Sequence, residues 1–274
     1  MTDSLSFKFM NGRTFFLIAW CLAATIGFSS NAYAIDARDF LIRNTRPDGT
    51  GTPYRLFVPP QYRLGLHLPL LIFLNGSGQI GKDNTVQITE NTDALFGSLL
   101  KAQNLERQPL LLAVPQSRWP KWDPAEIAEV TASVRQEFDS DPDRVYLTGL
   151  SSGGNAVWET LKKFPQLFAA GVPLCAATTA LGLRRIAAIP VWIFHGALDH
   201  EVDAIYGDRG ERLGPRRIAK RLRSFGGRPS YTEYKDLGHM VWDRAYAEPK
   251  LFQWLVAQKR DHRTAADKTA KISG

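Results

Sequence analysis

Cysteine is scarce, with two in 274 residues, Cys21 and Cys175. No two histidines or cysteines stand at metal-ligand spacing, so neither a zinc-type site nor a disulfide framework is expected. An apolar run extends from Phe15 to about Phe28. That is short of the ~20 residues a transmembrane helix needs. The run has a basic start (Lys8, Arg13) and closes on Ala32-Tyr33-Ala34, a small-x-small cleavage pattern. Residues 1–34 therefore read as an export signal, with Ile35 as the new N-terminus and a periplasmic or secreted destination. An uncleaved anchor is the competing reading, and Met10 is an alternative start. Trp20 precedes Cys21, which argues against lipid attachment there. With the signal removed only Cys175 remains, which excludes an internal disulfide and leaves stability to the core. Its setting, "AAGVPLCAA", reads as a buried thiol. Internal repeats are absent, and the only low-complexity stretch is a polar tail after Lys259, expected to be flexible over 260–274.

What remains, 35–274, is the length of one catalytic domain. The formal net charge is +7, and about +6 without the signal. Much of the excess sits in "DRGERLGPRRIAKRLRSFGGR". There Ile218, Leu222 and Phe225 share one helical face, which leaves the cations on a solvated face. Nucleic-acid binding is not expected from such a segment. A soft preference for anionic surfaces stays open.

Buried strands alternate with helices along the chain. "LPLLIFLNGSG", "QPLLLAVPQS", "DRVYLTG", "FAAGVPLCAA", "IPVWIFHGA" and "PSYTEYKDLGH" read as strands. "DALFGSLLKAQNL", "DPAEIAEVTASVRQEF" (Asp123 as N-cap, Pro124 at the first helical position), "SSGGNAVWETLKKF", the arginine-rich segment and "EPKLFQWLVAQKR" read as helices. Apolar strands separated by helices imply an α/β fold with a mostly parallel sheet of about seven or eight strands, covered by helices on both faces. Ligands of such sheets sit beyond the carboxyl ends of the strands. "NGSGQIG", "PQSRW", "GLSSGG", "HGALDH" and "LGH" all fall on that edge.

"GLSSG" fits G-x-S-x-G, a strand-to-helix turn that exposes its serine. Gly149 and Gly153 remove side chains that would clash in so tight a bend. A serine hydroxyl needs a base within hydrogen-bond reach and an acid to orient that base. Ser151 follows one strand, Asp199 another and His239 a third, which makes them candidate nucleophile, acid and base. Asp203 is the main rival to Asp199, and Glu201 a more distant one. The alternative for Ser151 is a helix N-cap in an inactive relative.

The chain resembles the α/β-hydrolase superfamily. More closely it resembles bacterial phospholipase/carboxylesterase-like hydrolases labelled predicted peptidases, kin to dienelactone hydrolase and prolyl oligopeptidase-type domains. The carriers are "LPLLIFLNGSGQIGKDN", "DPDRVYLTGLSSGGNAVWETLKKFPQLFAAGVPLCAA", "IPVWIFHGALD" and "GHMVWDRAYAEPKLFQWLVAQKR", from about Asn44 to Arg260. The resemblance implies Ser151, His239 and Asp199 as a catalytic triad. It implies oxyanion donors at the backbone N–H groups of Ser77 and Ser152, and no cofactor or metal. Asn75 stands where relatives carry histidine. Ser152 stands where methionine or glutamine is common, which makes the pocket there smaller and more polar. Extra chain, "HEVDAIYGDRGERLG", reads as a rim loop or a plain surface loop.

His195 is expected to be structural, in a strand-end turn. His67, His200 and His262 fall in loops or the tail, and Asp143 lies at the wrong end of the sheet. Trp119 and Trp122 either stack on substrate or pack in the core. Trp158 reads as core, and Trp242 as a neighbour of His239. The expected protein is an exported serine esterase for small or medium esters, free of a stable membrane anchor after cleavage. No propeller accompanies the expected domain, which favours esters over peptides. Serine peptidase is the runner-up. A catalytically inactive protein that binds anionic surfaces is the alternative from another class.

Overall fold

A computed structural model describes residues 35–208 and 212–260. The expected signal, residues 209–211 of the extra loop, His262 and nearly all of the polar tail lie outside the described residues.

Eight strands form one sheet: β1 (Phe40–Asn44), β2 (Pro53–Phe57), β3 (Leu68–Leu74), β4 (Leu111–Pro115), β5 (Ser140–Leu150), β6 (Ala170–Leu174), β7 (Trp192–Gly196) and β8 (Ser230–Tyr234). Their spatial order is β1-β2-β4-β3-β5-β6-β7-β8. β1 pairs antiparallel with β2, and β2 with β4, while the strands from β4 to β8 run parallel. Sequence reading anticipates the six parallel strands and misses β1 and β2. Both missed strands are five residues long, Leu41 and Ile42 of β1 are exposed, and β2 opens on a proline.

Side chains alternate across the sheet and build a core on each face. Leu71, Phe73, Leu112, Val114 and Phe194 point to one face. Leu70, Ile72, Leu74, Ala113 and Ile193 point to the other. The helices are α1 (Val86–Thr89), α2 (Ala102–Arg107), α3 (Pro124–Glu137), α4 (Ser152–Lys163), α5 (Pro215–Ser224), α6 (Trp242–Tyr246) and α7 (Leu251–Val256). α6 and α7 cover the first face with Ala245, Tyr246, Leu251, Phe252 and Leu255. α3, α4 and α5 cover the second with Ile127, Val130, Val134, Val157, Leu161, Ile218 and Leu222. Asp123 caps α3 by accepting the Ala125 N–H at 2.8 Å. On α5 the arginines and lysine face solvent, while Ile218, Ala219 and Leu222 are buried.

The helix expected over 93–105 is broken. A π-turn at Leu95–Leu99 is followed by extended backbone at Lys101, and α2 starts after it. The Asn104 side chain donates to the Leu99 carbonyl at 2.8 Å, which satisfies an acceptor that the break would otherwise strand.

Candidate active site

β5 is the middle of the sheet, and the chain leaves it through Ser151. That residue sits at φ 53°, ψ −118°, a strained conformation for a side chain other than glycine. Its N–H donates to the Leu174 carbonyl of β6 at 3.0 Å, which anchors the bend. The bend brings α4 close against β3. A Cβ on Gly153 would lie 2.1 Å from the Leu74 carbonyl oxygen, and one on Gly149 2.7 Å from the Gly153 backbone.

β7 ends on Gly196, whose Cβ position lies 2.0 Å from the carbonyl oxygen of Gly238. Asp199 follows in a turn closed by its own N–H on the Gly196 carbonyl. The loop after β8 carries His239. Two hydrogen bonds between the segments, Ala197 N–H to the Tyr234 carbonyl and Leu198 N–H to the Leu237 carbonyl, tie them together.

The three side chains meet. Ser151 Oγ is 2.9 Å from His239 Nε2, and Asp199 Oδ2 is 2.8 Å from His239 Nδ1. Asp199 Oδ1 accepts the N–H groups of Glu201 and Val202, each at 2.9 Å. Asp203 turns away: its Oδ1 accepts the N–H groups of Ile205 and Tyr206, and it is exposed. Glu201 is also exposed, with Oε2 3.7 Å from His239 Nε2, on the side opposite the ring nitrogen that Asp199 holds.

Burial opposes the charged form of Asp199, but the His239 hydrogen bond, the Val202 N–H and the charge of His239 outweigh it. Its carboxyl is held below the ordinary carboxylate range. Burial likewise opposes imidazolium at His239. The Asp199 hydrogen bond and charge overcome this, with Glu201 adding, and raise its pKa. Trp242 lies edge-on to the imidazole, centroids 6.2 Å apart at 89°.

The His239 carbonyl accepts the Val241 N–H at 3.0 Å and lies 2.8 Å from Cys175 Sγ, so the Cys175 thiol donates to the backbone of the base. Cys175 is buried, as expected, and burial pushes its thiol pKa well up. His195 lies inside β7 rather than in the turn after it. It is fully buried, its Nε2 is 3.8 Å from Asp199 Oδ2, and neither ring nitrogen has a partner among the described residues. Burial lowers its pKa, against the pull of Asp199, and keeps it neutral. Cys175, His195 and Asp199 are the described residues whose donor atoms approach closely enough to hold a metal, all within 4.8 Å of one another. The Asp199 oxygens and the Cys175 thiol are already engaged with His239 and nearby N–H groups, which leaves His195 alone with free lone-pair capacity.

A cavity of about 450 Å³ opens beside Ser151 and His239. Ser77 and Ser152 line it, and each opens a helical turn, where N–H groups lack intrahelical acceptors. The extra loop forms part of the wall through Val202, Asp208 and Arg212. Trp122 also lines it, yet it is 6% exposed and donates from Nε1 to the Asn75 carbonyl at 3.2 Å. Trp119 is 62% exposed and Trp158 is core. Asn75 donates from Nδ2 to the Gln87 carbonyl at 2.7 Å. Asp143 pairs with Arg260, and His67 with Asp139. Asn155, Glu159, Lys121 and Arg212 also line the cavity, and sequence reading passes over their part in it. The spacing of Ser151, Asn155 and Glu159 at i, i+4, i+8 on one helix was the available signal.

The crystal structure of a thermostable esterase superposes with a TM-score of 0.72 at 29% identity, covering 82% of this chain and 64% of that one. This chain has the α/β-hydrolase fold. A putative dienelactone hydrolase from Klebsiella pneumoniae shares that fold at 14% identity and TM-score 0.55, with 80% of this chain and 99% of that one covered. An acylaminoacyl peptidase shares it at 12% identity and TM-score 0.54, with 81% and 42% covered. The chain thus spans less than two thirds of the esterase and of the peptidase. The prolyl oligopeptidase family model matches residues 112–202, a stretch of the hydrolase fold that holds Ser151 and Asp199 but not His239. No curated protein sequence matches the chain.

Proposed function

We propose that the protein is an exported serine hydrolase that cleaves carboxylic esters through an acyl-enzyme. The observation that carries this reading is the pair of hydrogen bonds from His239, one to Ser151 Oγ and one to Asp199. With the Nδ1 proton held by Asp199, the Nε2 lone pair faces Ser151. His239 takes the hydroxyl proton as Oγ attacks the ester carbonyl. The oxyanion that forms is stabilised by the N–H groups of Ser152 and Ser77. Collapse breaks the ester C–O bond, and the imidazolium gives its proton to the departing alcohol. Water, deprotonated by His239, then releases the acid. Asp199 orients the ring and stabilises the imidazolium throughout.

Ester rather than amide cleavage is supported by the 29% identity to an esterase. The prolyl oligopeptidase match supports the second reading, a serine peptidase. A fluorophosphonate probe should label the folded protein at Ser151, and Ser151→Ala should remove the label. A folded protein that stays unlabelled overturns the proposal. p-Nitrophenyl esters against aminoacyl amides then separate the two readings. Faster ester turnover is expected, and faster amide turnover would favour the peptidase.

A further inference from the structure

Beyond Ser151 the cavity is lined by Ser152, Asn155 and Glu159 of α4, by Lys121, and by Asp208 and Arg212 from the loop after β7. Pro120, Trp122, Ala156 and Val202 add apolar surface.

Several polar atoms on these surfaces have capacity to spare. Ser152 Oγ and Asp208 Oδ1 are buried without a partner among the described residues. Asn155 Oδ1 accepts the Ala177 N–H at 2.8 Å, so its NH₂ group is left for the cavity. Glu159 Oε1 accepts the Thr178 hydroxyl at 2.7 Å and lies 2.9 Å from Lys162 Nζ, which leaves Oε2. Arg212 Nη1 donates to Asp208 Oδ2 at 3.2 Å, which leaves the rest of its fork.

Donors and acceptors therefore both face the space, beside a smaller set of apolar side chains, and this sorts the ligands that fill it. An alkyl chain would strip water from Glu159, Asp208 and Arg212 and return no hydrogen bond. A carboxylate would lie among Glu159, Glu201 and Asp208. An ammonium would meet Lys121 and Arg212. A hydroxyl both donates and accepts from one uncharged atom, so a group rich in hydroxyls satisfies closely spaced neighbours of either kind.

We propose that the group seated in this cavity is an uncharged polyhydroxylated unit, a sugar or polyol joined to a short acyl group through the ester. This rests on the ester-hydrolase reading above. Ser151 Oγ bonds to the acyl carbon, the bond to the sugar oxygen breaks, and that oxygen takes the proton from His239. Water then cleaves the acyl-enzyme to the free acid.

The test compares four esters on the purified protein by titrating released acid: a methyl glucoside carrying one acetyl group, p-nitrophenyl acetate, p-nitrophenyl octanoate and the monoethyl ester of succinate. The acetylated glucoside is expected to exceed the octanoate at least tenfold in kcat/KM. Glu159→Gln and Arg212→Met should each lower the glucoside-to-octanoate ratio at least tenfold, mainly through KM on the glucoside. Fluorophosphonate labelling of each variant shows that it is folded. Preference for the octanoate or the succinate ester, or a ratio unmoved in both variants, overturns the inference and leaves the hydrolase reading intact. No ester turnover with Ser151 unlabelled overturns both.

Discussion

His239 carries two opposed influences, burial and the Asp199 carboxylate, and the carboxylate prevails. In the proposed mechanism the base is the neutral imidazole, so activity should be lost as pH falls through its raised pKa. The acid limb of kcat/KM should therefore have its midpoint above the ordinary value of about 6.5. Asp199→Asn removes the main stabilising charge and leaves only Glu201 to oppose burial. The limb should then move to lower pH, while kcat falls by about 10⁴-fold, as loss of the orienting acid does in other serine hydrolases. Stopped assays from pH 5 to 9 read both effects, and an unmoved midpoint would count against Asp199. Cys175 gives a second outcome at this scale. Its thiol is buried and donates to the His239 carbonyl. A thiol reagent should leave it untouched in the native protein and modify it in denaturant. Ser151, Asp199 and His239 were legible as candidates because each follows a strand that reads plainly. The hydrogen bond from Cys175 was not, because 64 residues separate it from His239.

At the scale of elements, the junction of β5 and α4 is set by contact between backbones. Gly153 faces the Leu74 carbonyl at a distance that no Cβ tolerates, and backbone cannot step aside as a flexible side chain can. Gly153→Ala should cost about 1–3 kcal/mol or more in urea unfolding. It should also shift α4 and with it the Ser152 N–H, so turnover should fall along with stability. Asp123→Ala removes the cap of α3 and an exposed ion pair with Lys163, and should cost about 1 kcal/mol in the same urea unfolding. The central parallel strands were readable because they are apolar on both faces. The break at Lys101 was not, since apolar spacing over 93–105 continues through it and only the Asn104 bond to Leu99 marks the interruption. The cavity lining was equally hidden, because it comes from five stretches that only the fold brings together.

At the scale of the whole molecule, Ile35 is already part of the core, 7% exposed and clustered with Phe40, Phe57 and Phe96. Export with cleavage after Ala34 would place the new terminus at this residue. N-terminal sequencing of protein recovered from outside the cytoplasm should begin at Ile35. A start at Met1 or Met10 there would count against cleavage.

The contact between Gly196 and Gly238 reaches further than packing. It joins the loop that carries the acid to the loop that carries the base, backbone against backbone, with two hydrogen bonds beside it. The loops of Asp199 and His239 therefore share one close-packed seam. In the proposed mechanism this seam holds Asp199 and His239 at the 2.8 Å separation that orients the imidazole toward Ser151.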